Sequence, residues 1–300
     1  MHKDKRSSPV DKRSTPRSGS VGNLALVLLR GGGDLASGVA LRLQRAGINV
    51  VITELAQPLA VRRAVSFAET VYEERHTVEE VAARLVKPEQ VPAALEAGEI
   101  PVLIDPNADI LLSSFLFLVV IDARLLKAPP TPLPIDVPLH IGLGPGFHAG
   151  VDCQAVIETR RSHTLGRVYW DGTTQPDSGQ PEGEPRRVLR APSDGILKGH
   201  KQIGEHCEPG ELIAAIQSSI VNRKSEIVSP FRGVLRGLIR DGIHVTKGLK
   251  IGDVDPRDDP SACFLVSDKA LAIGGAVLEA ILTREEIRGT FFTTKDTKGH

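Results

Sequence analysis

A 25-residue pattern occurs twice near the C-terminal end of the chain. Segments 189–213 and 227–251 lie 38 residues apart and are identical at eight aligned positions. The identical pairs are Pro192/Pro230, Gly195/Gly233, Leu197/Leu235, Gly199/Gly237, Gly204/Gly242, His206/His244, Gly210/Gly248 and Ile213/Ile251. Because glycine and proline recur at turn positions between short apolar runs, each copy is predicted to be one β-unit with the same bends. The repeat therefore predicts a small, pseudo-twofold β domain over 187–257.

The composition excludes several classes of protein. Lys+Arg and Asp+Glu are equal at 37 each, so no overall charge favours binding to nucleic acid or to an anionic membrane. Aromatic residues make up 4% of the chain, which is too few for base-stacking surfaces. The most apolar run, 115–121, is far shorter than the roughly 20 residues that a membrane span needs. Three dispersed cysteines without a C-x-x-C pair predict a reducing, cytoplasmic setting.

The N-terminal half alternates between strand and helix patterns. Residues 24–30 form a continuous apolar run, as in a strand buried on both faces. A glycine-rich turn at 31–38, a helical pattern and a second apolar run at 48–53 follow. Such alternation is typical of a mostly parallel sheet, so 23–170 is predicted to be a Rossmann-like α/β domain.

The glycine turn matches a dinucleotide-binding fingerprint. Gly31, Gly33 and Ala36 satisfy G-x-G-x-x-G/A, and Glu54 has the spacing of the acid that binds a ribose hydroxyl. Glycine lets the backbone approach a phosphate, and a helix N-terminus offers free N–H groups. The predicted cofactor-binding residues here are Gly31, Gly33, Asp34, Gly38 and Glu54, with Asp34 expected to cap the helix. The alternative is a turn that only packs helix against strand.

Further α/β units are predicted after residue 54. A short strand is expected at 68–72, and helices are expected at 78–85 and 88–95. Two later strands end in Asp105 and Asp122, which are expected near Gly31 and Glu54 at the carboxyl edge of the sheet. The alternative for both aspartates is a helix cap or turn former. The adjacent Arg62 and Arg63 either clamp an anion or lie on a solvated helix face.

A second glycine cluster lies at 142–150, where consecutive N–H groups could form an oxyanion nest. Gly144, Gly146 and Gly150 are therefore predicted to bind the cofactor across a cleft shared with the first turn. Asp152, Arg161 and His163 follow closely and are the candidate catalytic residues. The alternative is a structural loop between domains. Cys153 is either a nucleophile or, as free cysteines more often are, a small buried hydrophobe.

The remaining segments complete the predicted organisation. Residues 1–22 predict a disordered tail, 171–186 a linker and 284–300 a second tail. Residues 258–283 contain a helix with Ser267 or Asp268 as N-cap. Two glycines inside that helix, 274 and 275, are explained if the helix presses closely on another backbone of the α/β domain.

The duplicated segment resembles biotinyl/lipoyl-type barrels, also called barrel-sandwich hybrids. In such barrels the modified lysine lies eight residues before the second conserved proline, where this chain has Asn222. The sequence therefore favours a docking or lid module over a swinging-arm carrier. His206 and His244 occupy equivalent positions and either form a pair or are simply exposed on the strands; no metal site is predicted.

Several long motifs resemble the YqeB-type accessory (maturation) protein family of selenium-dependent molybdenum hydroxylase systems. The motifs lie at 30–47, 59–69, 142–150, 156–168, 233–242, 250–257 and 267–282. The resemblance implies a role in maturing or supplying a selenium-containing molybdenum cofactor. The partners that it implies are a molybdenum hydroxylase or other cofactor-maturation proteins. A homo-oligomer is a further possibility. Where relatives often have Arg-Gly-His, this chain has Arg161-Ser162-His163.

Three functions remain open from the sequence. The first is a cofactor-maturation accessory protein that binds a small anionic ligand, either molybdopterin or a nucleotide. The second is an NAD(P)-dependent oxidoreductase with His163 or His148 as acid or base. The third is a non-catalytic adaptor that docks a partner through the duplicated domain.

Overall fold

The computed structural model describes residues 25–179, 183–217 and 224–292. The predicted tail 1–22 and the carrier-lysine position, Asn222, lie outside the described residues. The large sheet and a separate two-stranded sheet, β8 with β11, contain β1 Leu26–Arg30, β2 Asn49–Glu54, β3 Arg75–Val78, β4 Val81–Leu85, β5 Ile100–Ile104, β6 Phe117–Asp122, β7 Leu139–Leu143, β8 His148–Ala149, β9 Ala155–Ile157, β10 Val168–Tyr169 and β11 Gly172–Thr173. The helices are α1 Asp34–Arg45, α2 Thr70–Glu73, α3 Val91–Glu96, α4 Asp109–Ser114, α5 Asp268–Leu282 and α6 Glu285–Phe292.

The large sheet has nine strands in the order β10-β9-β7-β6-β1-β2-β5-β4-β3. Strand β1 pairs in parallel with β2 on one side and with β6 on the other. Only the outermost pairs, β3–β4 and β9–β10, are antiparallel. Strand β1 is buried along its whole length, which explains its uninterrupted apolar sequence. The prediction of a mostly parallel α/β sheet is confirmed.

Two local predictions between β2 and β5 were wrong. Residues 67–73 form helical turns instead of a strand, and the stretch predicted as a helix at 78–85 contains the end of β3 and all of β4. Strands β3 and β4 are joined by a tight turn in which Glu79 has a φ of 52°. Val81 and Ala83 alternate toward the core, as expected for a strand. The spacing of apolar residues in this short stretch fits a helix and a strand equally well, and the tight turn at Glu79 is what separates the two strands.

The duplicated region folds into two four-stranded antiparallel sheets. Its strands are β12 Val188–Arg190, β13 Gly195–Gly199, β14 His206–Cys207, β15 Leu212–Gln217, β16 Lys224–Val228, β17 Gly233–Leu238, β18 His244–Val245 and β19 Lys250–Asp255. The sheet orders are β12-β19-β17-β14 and β16-β15-β13-β18. Each strand of the first copy has its counterpart, 38 residues later, in the other sheet: β12 corresponds to β16, β13 to β17, β14 to β18 and β15 to β19. Each sheet therefore contains strands from both copies, and one shared apolar core fills the space between them.

Helix α5 packs on helix α1 in the core of the α/β domain. An added Cβ on Gly38 would lie 2.6 Å from the backbone of Ala270, and one on Gly274 would lie 2.6 Å from the Gly38 carbonyl oxygen and 2.8 Å from Arg42. Because position 38 meets 270 and position 42 meets 274, the two helices run in the same direction. Gly275 faces open space, so Gly274 alone of the pair makes the close approach that both were expected to make.

The chain after α5 differs from the expected tail. Residues 285–292 form helix α6, which buries Ile287 against the same core. Among the described residues, no helix is long and apolar enough to cross a membrane.

Candidate functional site

A cleft of about 830 Å³ lies between the carboxyl edge of the large sheet and the face formed by β17 and β19. Segments from both domains line it, including the first glycine turn, residues 58–62 and residues 253–257. Its described lining contains eight cationic side chains and six carboxylates. The cations are Arg62, Arg124, Arg161, Arg187, Arg236, Lys250, Arg257 and Lys269. The excess of positive charge suits an anionic ligand.

The first turn of α1 opens into this cleft. Gly33 is the N-cap, and no described side chain caps the helix. Within the described residues, the backbone N–H groups of Gly33, Asp34 and Leu35 donate no hydrogen bond. The prediction that Asp34 caps the helix was wrong, since Asp34 is the first helical residue and its carboxylate lies 3.8 Å from Arg62 Nη1. The cleft therefore contains an open helix N-terminus with its partial positive charge.

The rest of the glycine turn is hydrogen-bonded to neighbouring segments of the α/β domain. Gly32 N–H donates to Glu54 Oε1 at 2.8 Å, and Leu55 N–H donates to Glu54 Oε2 at 2.6 Å. The Gly32 carbonyl accepts from Ala68 N–H at 2.8 Å. Burial raises the pKa of Glu54. Glu54 thus holds the turn in place, whereas the fingerprint predicted that it would face a ribose.

Arg62 and Arg63 join the two domains. Arg62 is 8% exposed, and its Nη2 donates to the carbonyl oxygens of Ala262 (3.2 Å) and Leu265 (3.0 Å). Arg63 Nε donates to the Leu238 carbonyl at 3.1 Å. Neither arginine lies on the solvated helix face that the sequence allowed as an alternative. Arg62 Nη1 lies 3.8 Å from the Asp34 carboxylate and donates no hydrogen bond to any residue that the structure describes.

The opposite wall of the cleft is a charge network on β17 and β19. Asp253 is 1% exposed and lies 3.2 Å from Arg187, 3.0 Å from Arg236 and 3.5 Å from Lys250. Burial lowers the pKa of the Lys250 ammonium, which Asp253 partly opposes. From the sequence, 250–257 was identified only as a family motif, and this charge network was not predicted. The available signal was the spacing of two between Asp253 and Asp255, which puts both on one face of a strand.

Asp255 makes the stability of this wall depend on pH. Arg257 donates three hydrogen bonds to its carboxylate, two from the guanidinium and one from the backbone N–H, and Arg236 lies 3.2 Å away. These contacts lower the pKa of Asp255 to about 2. Because the folded pKa is below the unfolded value of about 4, the stabilisation is present above pH 4 and is lost as the pH falls toward 2.

The Asp255→Asn variant tests this pH dependence. We expect its melting temperature to fall less steeply than that of the parent between pH 5 and pH 2. An equal decrease in the two proteins would contradict this assignment.

The second glycine turn does not line the cleft, so the prediction of two turns facing a common cleft was wrong. An added Cβ on Gly144 would lie 3.0 Å from Thr159 Oγ1, and one on Gly146 would overlap the Leu126 carbonyl. Gly150 has a φ of 84° in the turn between β8 and β9. These glycines serve tight packing and turning of the chain.

The candidate catalytic residues are separated in space. Arg161 reaches the cleft and binds Asp268 with two hydrogen bonds of 2.7 and 2.6 Å. Asp152 accepts from the His148 N–H at 2.9 Å within its own turn. His163 is exposed and lies outside the cleft lining. Burial raises the pKa of the Cys153 thiol to about 11, which is unsuitable for a nucleophile.

Asp105 directly follows β5 and Asp122 is the last residue of β6, so both lie at strand ends as predicted, with different roles. Asp105 Oδ2 accepts from the Leu111 N–H in the first turn of α4 at 3.0 Å, which fits the alternative of a turn former. Asp122 is fully buried and binds Arg30 Nη1 at 3.2 Å and Arg124 Nε at 2.9 Å. Asp122 therefore positions Arg124 at the cleft.

The two histidines of the repeat are not grouped into a metal site. His206 lies on β14 with its Nδ1 2.7 Å from Asp258 Oδ1, and His244 lies on β18 in the other sheet. In the parts of the chain that the structure describes, no three His, Cys, Asp or Glu side chains are arranged to hold a metal ion.

The fold defines a mixed α/β protein with a large, mostly parallel sheet and several antiparallel sheets, and the described cleft is lined by more cationic than acidic side chains. The chain is 45% identical over 262 residues to a protein of Escherichia coli K12 described as uncharacterized protein YqeB. This similarity covers 86% of the chain and supports the YqeB-type family. The match covers 47% of the relative, so the chain spans about half the length of the curated relative it matches. No protein-family model matches the chain.

Solved structures resemble the chain only weakly. An aspartoacylase family protein from Mesorhizobium loti is 13% identical with a TM-score of 0.27, over 77% of this chain and 85% of its own. A succinylglutamate desuccinylase/aspartoacylase from Rhodobacter sphaeroides is 11% identical with a TM-score of 0.27, over 78% and 85%. Likenesses at this level carry no argument about the activity of this chain.

Proposed function

We propose that this chain is an accessory protein in the maturation of a selenium-dependent molybdenum hydroxylase. In this proposal it binds a molybdopterin or a nucleotide in the interdomain cleft and passes it to the hydroxylase or to another maturation protein. The motif resemblance and the YqeB relative support the proposal. The observation that carries it is the uncapped N-terminus of α1, which opens into a cleft with eight cationic side chains. Such a terminus favours a phosphate-bearing ligand.

The oxidoreductase alternative has less support from the site. Glu54, which would bind a ribose, already accepts two backbone hydrogen bonds. The described cleft lining contains no histidine that could act as an acid or base. His148 and His163 both lie outside it. The described cleft lining therefore has cationic side chains that could bind an anion, and it has no histidine to transfer a proton.

The duplicated domain is proposed to be a biotinyl/lipoyl-like barrel that serves as a wall of the cleft and as a docking module. The exchange of equivalent strands between its two sheets supports this proposal. So does its tight seam with the α/β domain, where an added Cβ on Gly237 would lie 2.6 Å from the Val61 carbonyl oxygen. A carrier domain must swing freely, whereas this seam and the Arg63–Leu238 bond hold the domain in place.

Replacement of Lys250 tests the binding role. We expect native mass spectrometry of freshly purified protein to show a bound pterin or nucleotide. Lys250→Gln is expected to lower its occupancy at least tenfold, because a hydrogen bond to a charged group contributes about 1.5–3 kcal/mol. Lys198→Gln is the matched control, since Lys198 pairs with Asp241 outside the cleft. Absence of such a ligand, or equal occupancy in both variants, would overturn the proposed function.

A further inference from the structure

We infer that the anion bound at the start of α1 is the terminal phosphoryl group of a phosphomonoester and not the diphosphate linkage of a dinucleotide. This inference rests on the proposed function and names the chemical class that the cleft selects. A phosphomonoester presents three non-bridging oxygens and close to two negative charges near pH 7. A phosphate within a diphosphate linkage presents two non-bridging oxygens and one charge.

The donors at this point are sufficient for three oxygens. The N–H groups of Gly33, Asp34 and Leu35 are consecutive and donate to no described residue. Arg62 is more than nine-tenths buried, and its Nη1 lies 3.8 Å from the Asp34 carboxylate and donates to none of the described residues. Lys250 faces the same cleft from the other domain. A buried guanidinium with an unused nitrogen beside an uncapped helix start is an arrangement that a phosphoryl group would complete.

The two parallel helices strengthen the preference for a dianion. Helices α1 and α5 run in the same direction, and the first residues of both line the cleft. Each helix places about half a positive charge at its N-terminus, so the two add. The start of α5 is already capped, because Ser267 Oγ accepts from Ala270 N–H and Asp268 accepts from Lys269 N–H. The uncapped start of α1 is therefore the one that can bind the phosphoryl oxygens directly.

The glycine turn leaves no place for a second phosphate. In a dinucleotide site the pyrophosphate lies against the turn itself. Here Gly31 N–H donates to the Thr53 carbonyl at 2.8 Å, and Gly32 N–H donates to Glu54 Oε1 at 2.8 Å. The Glu54 carboxyl group also lines the cleft at this point. A second phosphate placed at the turn would meet amides that already donate and the Glu54 side chain, so the turn does not provide the pyrophosphate position of a dinucleotide site.

A pair of small probes tests the inference. Phenyl phosphate and methyl phenyl phosphate share a ring and differ in whether the phosphoryl group is terminal. Phosphorus NMR titration at pH 7.5 is expected to show phenyl phosphate binding at least tenfold more tightly than its methyl ester, with displacement by inorganic phosphate. Equal binding of the ester, tighter binding of NAD, or no binding of phenyl phosphate at 10 mM would overturn the inference.

Gly33→Ala locates the subsite. Gly33 has a φ of −63°, and an added Cβ would meet nothing within 4 Å, so the fold should be unaffected while a methyl group enters the open space beside the free N–H groups. We expect phenyl phosphate binding to weaken at least tenfold. Gly275→Ala is the control, because its added Cβ also meets open space and lies outside the cleft lining. Unchanged binding in Gly33→Ala would place the anion elsewhere and overturn the assignment.

The inference and the proposed function fail in different ways. A co-purified pterin or nucleotide without a terminal phosphate would remove the phosphomonoester inference and leave the cleft as a cofactor site. Selective binding of phenyl phosphate without any co-purified pterin or nucleotide would support the phosphomonoester subsite and overturn the proposed function.

Discussion

Replacing Gly38 with alanine is expected to lower the melting temperature by about 6–12 °C. The added Cβ would lie 2.6 Å from the backbone carbon, carbonyl oxygen and Cβ of Ala270, all in the core between α1 and α5. Neither helix can move away without opening that core, and overpacking of this kind costs about 3 kcal/mol. For a protein of this size each kcal/mol corresponds to roughly 2–4 °C.

A matched glycine distinguishes crowding from a general effect of alanine. Gly275 lies in α5, one residue after Gly274, and its added Cβ would meet nothing. Alanine is favoured over glycine in a helix by about 1 kcal/mol, so Gly275→Ala is expected to raise the melting temperature by a few degrees. Differential scanning calorimetry of the two variants measures both effects. Similar melting temperatures for Gly38→Ala and the parent would show that α1 and α5 are less closely packed than described.

Replacing Asp122 with asparagine is expected to destabilise the protein by about 3–5 kcal/mol. Asp122 is 0% exposed, and its partner Arg30 is 5% exposed. Loss of the carboxylate would remove the ion pair, at 3.2 Å, of the buried Arg30 guanidinium. Its second partner, Arg124, would also lose two hydrogen bonds that hold it at the cleft. Ligand binding should therefore weaken together with stability.

An exposed carboxylate–arginine pair provides the comparison. Asp268 binds Arg161 with two short hydrogen bonds, but its side chain is 74% exposed. Exposed ion pairs contribute about 0–1 kcal/mol, so Asp268→Asn is expected to change the melting temperature little. Thermal unfolding of Asp122→Asn and Asp268→Asn measures the two changes in melting temperature. Equal destabilisation by the two substitutions would contradict the burial of Asp122.

Much of the fold was predictable because its signals are local. The apolar run of β1, the glycine turn and the Ser267 cap of α5 predicted their elements correctly. The 38-residue repeat predicted a β domain of two equivalent copies, since equal bends at equal spacing favour equal strands, but the pairing of strands from both copies in each sheet was seen only in the structure. The hairpin at 75–85 was missed because its apolar spacing fits helix and strand alike, and only the turn at Glu79 separates them.

The candidate site was predicted in part. Gly31, Gly33, Asp34, Glu54 and Arg161 all line the cleft, whereas Gly38 lies in the seam with α5. The other residues proposed for the site lie outside it: Gly144, Gly146, Gly150, Asp152 and His163. Glycine-rich sequence has the same appearance whether the missing side chain makes room for a ligand or for another part of the protein.

The sequence alone determined the parallel sheet, the duplication and the glycine turn that precedes α1, because each is written in the order of residues along the chain, whereas the uncapped start of α1 was seen only in the structure. The tertiary structure decided which glycine turn meets a cleft and which cations face it. Lys250 and Arg236 reach the start of α1 only because the duplicated domain packs against the carboxyl edge of the sheet. The charge at that edge is a sum over side chains nearly 200 residues apart, and no local pattern contains that sum.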